Sequence, residues 1–221
     1  MSVIAEPVLT TVPTFEEVVR RLGDIPLDRI LARPYPGSAT EEDVIECKAK
    51  TGRLCELVDG ILVEKAMGYY EDRLGIVLAA FLELFYGDNA PGIVLGATGM
   101  MRTDEVQVRM PDVAFYSWDQ FPGRILPPGQ ILDRRPELAV EILSPKNTRA
   151  EMDRKRREYF NGGTKIVWQV YPKTKTVRVY TSITKYTELG ADDTLDGGAV
   201  LPGFSLSIRR WFERAGQHSQ T

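Results

Sequence analysis

Apolar and polar positions follow two different periods along the chain, and each period predicts one kind of element. Four segments combine apolar residues at helical spacing with helix-start signals, and we predict helices at 14–22, 40–51, 69–86 and 149–161. Thr14 with Glu17, and Thr148 with Glu151, have the spacing of a capping box. These two pairs therefore predict where the first and last of these helices begin.

Short apolar runs between the helices predict strands. The predicted strands are 54–58, 61–64, 93–95, 99–102, 106–116, 138–143, 166–170 and 176–180, with an edge strand in the closing run GGAVLPGFSLSI at 197–208. Asp59-Gly60 lies between two apolar runs and supplies the positive φ angles of a tight type I′ turn, which predicts a β-hairpin. A second hairpin is predicted across 171–175.

The order of these elements predicts the fold class and its boundaries. Strands with helices inserted, several of them in meander order, indicate an α+β or mixed α/β fold. We expect one domain over residues 40–212. It is preceded by an extension over 1–39 that carries a short helix, and it is followed by a flexible tail over 213–221.

Charge and hydropathy change this picture little. The 221 residues carry a net charge of −3, which does not indicate a nucleic-acid-binding protein but leaves a local basic patch open. No apolar run approaches membrane-spanning length, and the first residues lack the pattern of a signal peptide, so we expect a cytoplasmic protein without membrane contact. Cys47 and Cys55 fit a reducing compartment, although two thiols leave one bridge open.

The histidine count excludes several mechanisms. The chain has 1 histidine, His218, in the polar tail. A Ser-His-Asp or Cys-His arrangement would have to take its base from that chain end, and a zinc site built on several histidines is excluded. Any chemistry must therefore use carboxylates, lysine, arginine or tyrosine.

Two acids and a lysine form the candidate site. Glu141 lies inside the apolar strand 138–143, where an ionised carboxylate is costly unless it is paired or binds a metal. Asp112 follows Pro111 at the point where a polar strand becomes apolar, and Lys155 lies on the helix after the strand of Glu141. Two carboxylates can hold Mg²⁺, and a nearby lysine can orient or deprotonate water, which together favour phosphodiester hydrolysis.

Several segments together carry a family resemblance. They are ELVDGILVE (56–64), MPDVAF (110–115), LAVEILSP (138–145), KRREYFNGG (155–163), IVWQVYP (166–172) and LPGF (201–204). In this order, over about residues 50–212, the sequence resembles the Uma-type restriction endonucleases of the PD-(D/E)XK nuclease superfamily. Each segment alone would be weak, and their order makes the resemblance specific.

The resemblance implies a fold and a set of site residues. The fold would be restriction-endonuclease-like, with a central mixed β-sheet flanked by helices and an N-terminal β-hairpin. Asp112 and Glu141 would be metal ligands for Mg²⁺ or Mn²⁺. The superfamily lysine two residues after the second acid is Leu143 here, and the resemblance assigns its role to Lys155. Glu56 would complete the site.

A glutamine on the strand 166–170 is a further residue that the resemblance points to. Gln169 occupies a strand position beside the site in many relatives and would lie behind the metal ligands. The function that follows is a metal-dependent endonuclease acting on DNA. The alternative is a catalytically silent nuclease-fold protein that binds nucleic acid or dimerises, and a homodimer is compatible with either function. A hydrolase of another substrate has no feature of its own in the sequence.

Simpler interpretations of the two acids stay open at this point. Asp112 can be an ordinary polar residue at a strand start, since aspartate is common there. Glu141 can form a structural ion pair with a buried arginine such as Arg109 or Arg154.

The remaining candidates also have structural interpretations. Lys155 is spaced i,i+4 from Glu151, as in a solvated helix pair. Glu56 and Glu64 can alternate outward on the solvent face of the hairpin. The run 153–157, DRKRR, is usually a solvated helix face, and it can instead be a basic patch that meets phosphates.

Overall fold

The computed structural model describes residues 13–104 and 107–216 of the chain. In these residues the α-helices are α1 (Phe15–Leu22), α2 (Glu41–Thr51), α3 (Tyr69–Tyr86), α4 (Arg149–Asn161) and α5 (Ile208–Ala215). Short 3-10 turns are found at Leu27–Arg29, Gly87–Asn89, Trp118–Gln120 and Pro122–Arg124. The four predicted helices are confirmed to within a residue, while α5 was not predicted.

The strands complete an α+β fold. They are β1 (Cys55–Val58), β2 (Ile61–Glu64), β3 (Gly92–Gly96), β4 (Met100–Asp104), β5 (Gln107–Arg109), β6 (Val113–Ser117), β7 (Ile131–Leu132), β8 (Leu138–Ile142), β9 (Ile166–Tyr171), β10 (Thr176–Tyr180), β11 (Tyr186–Leu189), β12 (Thr194–Gly197) and β13 (Leu201–Ser207). Both predicted hairpins are confirmed. In the first one, Asp59 and Gly60 have φ angles of 51° and 69°, as a type I′ turn requires.

The larger sheet is the mixed sheet that the resemblance implied. Its strand order is β11-β10-β9-β8-β6-β3, in which β8 and β9 are parallel and the other neighbours are antiparallel. Helices α3 and α5 cover one face, and Trp211 of α5 donates a hydrogen bond of 3.0 Å to the main-chain oxygen of Leu74 in α3. A large apolar core, including Trp168, lies under these helices.

The first hairpin belongs to a second sheet, which the sequence did not separate from the larger one. Its strand order is β2-β1-β5-β4-β7. One face packs on α2, where Val44 and Cys47 meet Cys55 and Leu57 in an apolar cluster. Cys47 and Cys55 are free thiols with their Sγ atoms 3.3 Å apart. Helix α4 packs against both sheets, because Tyr159 contacts residues of β4 and β8 in one cluster.

The single strand predicted over 106–116 is wrong. In the described residues the segment forms β5 and β6, which lie in different sheets, and residue 106 lies outside the described part. The chain passes from one sheet to the other at Met110, Pro111 and Asp112. All three residues are buried, as strand residues on either side are, and Pro111 has no N–H to donate to either ladder. Hydropathy alone therefore could not show the break.

The predicted closing edge strand forms as β13, in a sheet that the sequence did not predict. Strands β12 and β13 form a separate two-stranded sheet, with buried residues such as Phe204 on the α3 side of the core, and the chain then continues directly into α5. The predicted flexible tail begins inside α5, and its end, with His218, lies outside the described residues. The first twelve residues, where we looked for a signal peptide, are outside them as well.

Two further predictions from the sequence concern the N-terminal extension and the membrane. Residues 13–39, which we predicted as an extension, lie against α4, because Arg29 forms a buried ion pair of 2.7 Å with Glu151. In the part of the chain that is described, no helix has the length and apolar character needed to cross a membrane.

Candidate active site

Strand β8 directs Glu141 away from the large apolar core. Its alternate residues Leu138, Val140 and Ile142 pack in the core under α3, while Ala139 packs with Tyr159 of α4 on the other face. Glu141 has the parity of Ala139 and therefore points toward α4. Strand β8 is therefore buried on both faces, and it places the Glu141 carboxylate between the sheet and α4.

Asp112 is held beside Glu141 by the main chain of β8. Its amide N donates to the main-chain oxygen of Val140 over 2.9 Å, and its Oδ2 accepts from the amide N of Ile142 over 2.6 Å. Val140 and Ile142 are the two residues that flank Glu141. Two hydrogen bonds thus fix the first acid next to the second, which an ordinary polar residue at a strand start would not require.

Lys155 brings α4 into the same site. Its Nζ lies 3.3 Å and 3.2 Å from Oε1 and Oε2 of Glu141 and 2.9 Å from Oε1 of Glu56. The interpretation of Lys155 as half of a solvated pair is therefore wrong. Glu151 instead accepts two hydrogen bonds from Arg29, of 2.7 Å and 2.9 Å.

Glu56 is not on a solvent face. Its Oε2 accepts from Arg109 over 2.9 Å, and its Oε1 accepts from the amide N of Met110 over 3.0 Å in addition to Lys155. By contrast, Glu64 is partly exposed and pairs with Arg53 at 3.3 Å. The expectation of outward alternation therefore fails for Glu56, because this face of β1 is covered by α4.

The arginine partners proposed for Glu141 are also corrected. Besides Lys155, its Oε1 accepts a short hydrogen bond from the Tyr159 hydroxyl. Arg109 binds Glu158 at 2.6 Å as well as Glu56, so its guanidinium is directed elsewhere. The acid in the apolar strand is thus paired with a lysine and a tyrosine of the same helix.

The basic run at 153–157 does not form an exposed patch. Lys155 and Arg156 are buried, and the Arg156 guanidinium lies 4.3 Å from the centre of the Tyr180 ring. Arg154 is engaged by both oxygens of Asp59, at 3.0 Å and 2.7 Å. Arg157 alone in this run is exposed. The sequence-based interpretations of the run as a solvated face or a phosphate-binding patch are therefore wrong.

Burial and neighbouring charges shift the pKa values of Glu141 and Glu56 in opposite directions. Burial raises the pKa of Glu141 to about 7; Asp112 and Glu56 contribute to the rise, and Lys155 partly offsets it. Burial would also raise the pKa of Glu56, but Lys155 and Arg109 outweigh it and lower that pKa to about 2. Glu141 therefore gains or loses its proton near neutral pH, while Glu56 stays ionised.

The lysine keeps its proton. Burial would lower the pKa of Lys155, yet the charges of Glu141 and Glu56 raise it above its usual range. A general base needs a pKa near the working pH. The ammonium is consequently suited to holding charge and orienting groups rather than to deprotonating water.

The oxygen atoms around Asp112 suit a hard divalent cation. Asp112 Oδ1 is buried and accepts no aligned hydrogen bond; its partner is an ion pair with Lys65 at 2.8 Å. Within residues 13–104 and 107–216, no group of three His, Cys, Asp or Glu side chains could hold a metal. The oxygens of Glu56 already accept from Lys155, Arg109 and the Met110 amide. Mg²⁺ accepts one or two carboxylates with water and substrate oxygens, and this donor set fits that requirement.

Two contacts of the site were not found from the sequence. Tyr159 is four residues after Lys155 on the same helix face, and this spacing could have indicated it. Lys65, whose Nζ lies 2.8 Å from Asp112 Oδ1, carried no signal in the hydropathy pattern.

Gln169 pairs with Glu141 in the β8–β9 ladder, and its side chain donates to the main-chain oxygen of Met152 over 3.1 Å. It therefore supports α4 behind the site.

The mixed sheet, the flanking helices and the acids that meet where β6 begins and β8 ends define a restriction-endonuclease-like fold. A crystal structure with this fold comes from Anabaena variabilis ATCC 29413 and is described as a "putative nuclease belonging to DUF820". It is 17% identical, with a TM-score of 0.65, over 75% of this chain and 93% of that chain. No curated protein matches the chain.

The sequence model of the Uma2 family, described as "Putative restriction endonuclease", matches residues 42–209. The chain therefore belongs to the Uma2 family, and the resemblance read from its motifs is confirmed. The matched range contains Glu56, Asp112, Glu141 and Lys155.

Proposed function

We propose that the protein is a Mg²⁺- or Mn²⁺-dependent endonuclease that hydrolyses phosphodiester bonds of DNA. The observation that carries this proposal is the placement of Asp112, which two main-chain hydrogen bonds hold next to Glu141 and whose Oδ1 is bound by an ion pair with Lys65 rather than by an aligned hydrogen bond. Membership of a family described as restriction endonucleases supports it. DNA as the partner is part of the proposal.

Each residue has a separate task in this proposal. Asp112 and Glu141 would hold the ion, which when bound would activate water and neutralise charge on the phosphate. Lys155 keeps a positive charge beside Glu141, and Glu56 holds the ammonium in place through a contact of 2.9 Å. Glu56 is a positioning residue, because Lys155, Arg109 and the Met110 amide occupy its oxygens.

Burial gives the alternative function its support. Asp112, Glu141, Lys155 and Glu56 are 6%, 4%, 2% and 0% exposed, so a phosphodiester reaches them only when covering segments move. A closed ion-pair network is also what a catalytically silent nuclease-fold module would keep as structure. Such a module would bind nucleic acid or form a homodimer without cleaving DNA.

Cleavage of DNA by three variants distinguishes the two functions. With Mg²⁺ we expect the unmodified protein to cut plasmid or oligonucleotide DNA, and EDTA to abolish cutting. Asp112→Ala and Glu141→Ala should lose more than about 100-fold in rate, since residues behind a metal ligand already contribute 10- to 100-fold. Asp88→Ala, at an exposed acid remote in sequence from the site, is the control and should cut normally.

Two results would contradict the proposal in different ways. Cleavage that persists unchanged in both Asp112→Ala and Glu141→Ala would show that these acids are not the catalytic site. DNA binding by the unmodified protein, without cleavage under any divalent ion, would establish the silent module instead.

A further inference from the structure

Lys65 brings a second buried ammonium to the site. It follows β2, and its amide N donates to the main-chain oxygen of Leu54 over 2.8 Å, which fixes the start of the connection to α3. The side chain is 3% exposed. A lysine buried to this degree needs partners for its charge, because an unpaired ammonium in the interior is costly.

Three oxygen atoms surround the Lys65 ammonium. Its Nζ donates to the main-chain oxygens of Met110 and Ala97 over 2.6 Å and 3.2 Å, and it lies 2.8 Å from Asp112 Oδ1. Carboxylate and main-chain oxygens are also the ligands that hard divalent cations take. The position is therefore one that a cation occupies, and in this structure the cation is the lysine.

The two oxygens of Asp112 have different partners. Oδ2 accepts the amide hydrogen of Ile142, whereas Oδ1 has no aligned hydrogen-bond donor. The 2.8 Å approach of Lys65 to Oδ1 is therefore an ion pair by distance and charge, without hydrogen-bond geometry. An ammonium held in this way can leave Oδ1 and lose no aligned hydrogen bond there.

The acids around the site already have cationic partners. Asp112 contacts Lys65, Glu141 contacts Lys155, and Glu56 contacts both Lys155 and Arg109, which also binds Glu158. A divalent ion would add two positive charges beside ammonium groups that are already buried there, where repulsion between like charges is weakly screened. The addition becomes favourable when an ammonium withdraws, and Lys65 is the one in contact with the same ligand atom.

We propose that Lys65 is a resident counter-cation of the metal site. Its ammonium neutralises Asp112 while no divalent ion is bound, and a divalent ion binds Asp112 in competition with it. The inference rests on the proposed function for the identity of the metal ligands. It adds a residue that sets the affinity for the ion and keeps the metal-free site folded.

Titration of Mn²⁺ into the metal-free protein by calorimetry tests the inference without an activity assay. We expect Lys65→Met to lower the Mn²⁺ Kd at least tenfold, which corresponds to about 1.4 kcal/mol. Lys65→Arg keeps the positive charge and should bind Mn²⁺ no more tightly than the unmodified protein. Lys146→Met is the control, because this exposed lysine pairs with Asp28 away from the site and should leave the Kd unchanged.

Thermal unfolding of the same proteins supplies a second measurement. Without metal, Lys65→Met should melt below the unmodified protein, because Asp112 loses its counter-charge. Mn²⁺ should raise the melting temperature of Lys65→Met more than that of the unmodified protein. If Lys65→Met does not fold, Lys65→Gln, which keeps a donor for the main-chain oxygens, is titrated in its place with the same expected tightening.

The outcomes separate this inference from the proposed function. An unchanged or weaker Mn²⁺ affinity in Lys65→Met, with binding that still requires Asp112, would overturn the role of Lys65 and leave the metal site standing. Absence of Mn²⁺ binding in every variant would overturn both. Binding by Lys65→Met alone would support the competition directly.

Discussion

Replacement of Lys155 by methionine would remove the charge that joins two sheets through α4. The ammonium contacts Glu141 at 3.2 Å and 3.3 Å and Glu56 at 2.9 Å, and all three side chains are buried. Methionine keeps most of the stem volume, so packing changes little. The variant therefore isolates the loss of the positive charge.

The magnitude follows from what each acid can do afterwards. Removal of one partner of a buried ion pair costs about 3–5 kcal/mol. Lys155 lowers the pKa of Glu141, so its removal lets that pKa rise further above about 7, and Glu141 can take up a proton near neutral pH at little cost. Glu56 keeps Arg109 and the Met110 amide as partners. We therefore expect a loss near the lower end, about 3 kcal/mol in the free energy of unfolding.

Urea denaturation followed by tryptophan fluorescence measures this loss, because Trp168 and Trp211 are fully buried. Arg157→Met, on the exposed side of the same helix, is the control and should change stability by less than about 0.5 kcal/mol. The double variant Lys155→Met with Glu141→Gln should be less destabilised than the sum of its single changes. A loss below about 0.5 kcal/mol for Lys155→Met would refute the buried ion-pair network.

Two further predictions concern pH and the contact between the N-terminal segment and α4. Because the pKa of Glu141 rises from 4.5 to about 7, the folded protein binds a proton that the unfolded chain releases. Stability should therefore fall by about 3 kcal/mol as pH rises through this window, and Glu141→Gln should abolish that slope in urea titrations at several pH values, whereas Glu64→Gln should retain it. Gly23→Ala should cost at least about 2 kcal/mol in thermal unfolding, because φ is +93° and a Cβ would lie 2.5 Å from the Glu151 amide N. Gly52→Ala, at φ +74° with no atom within 4 Å, should cost only about 1 kcal/mol, and equal losses would contradict the clash.

Local signals were sufficient for most elements. The capping boxes at Thr14 and Thr148 both form, and Asp59-Gly60 makes the predicted turn. These features depend on hydrogen bonds and φ angles within four residues, so the sequence carries them directly. The order of the motifs also identified the family. Its sequence model matches residues 42–209, and the resemblance was expected over about residues 50–212.

Hydropathy failed where buried positions are polar. The buried stripe of α4 consists of Glu151, Met152, Lys155, Arg156 and Tyr159, so its core-facing side has the composition of a solvated face. Each polar member is neutralised or stacked by a group from a distant segment, such as Arg29 or Glu56. No local pattern contains that information, because the partners are 99 and 122 residues away in the chain.

The sequence alone determined the fold class, four of the five α-helices in the described residues and two of the hairpins, and it named the two acids of the candidate site, because these follow from short-range periodicity, turn chemistry and motif order. Only the tertiary structure decided how the strands divide between two sheets and that Met110, Pro111 and Asp112 form the passage between them. It also decided which cations meet the acids. Burial makes charge pairing obligatory, but the choice of partner depends on which distant segments the packed sheets and helix bring together.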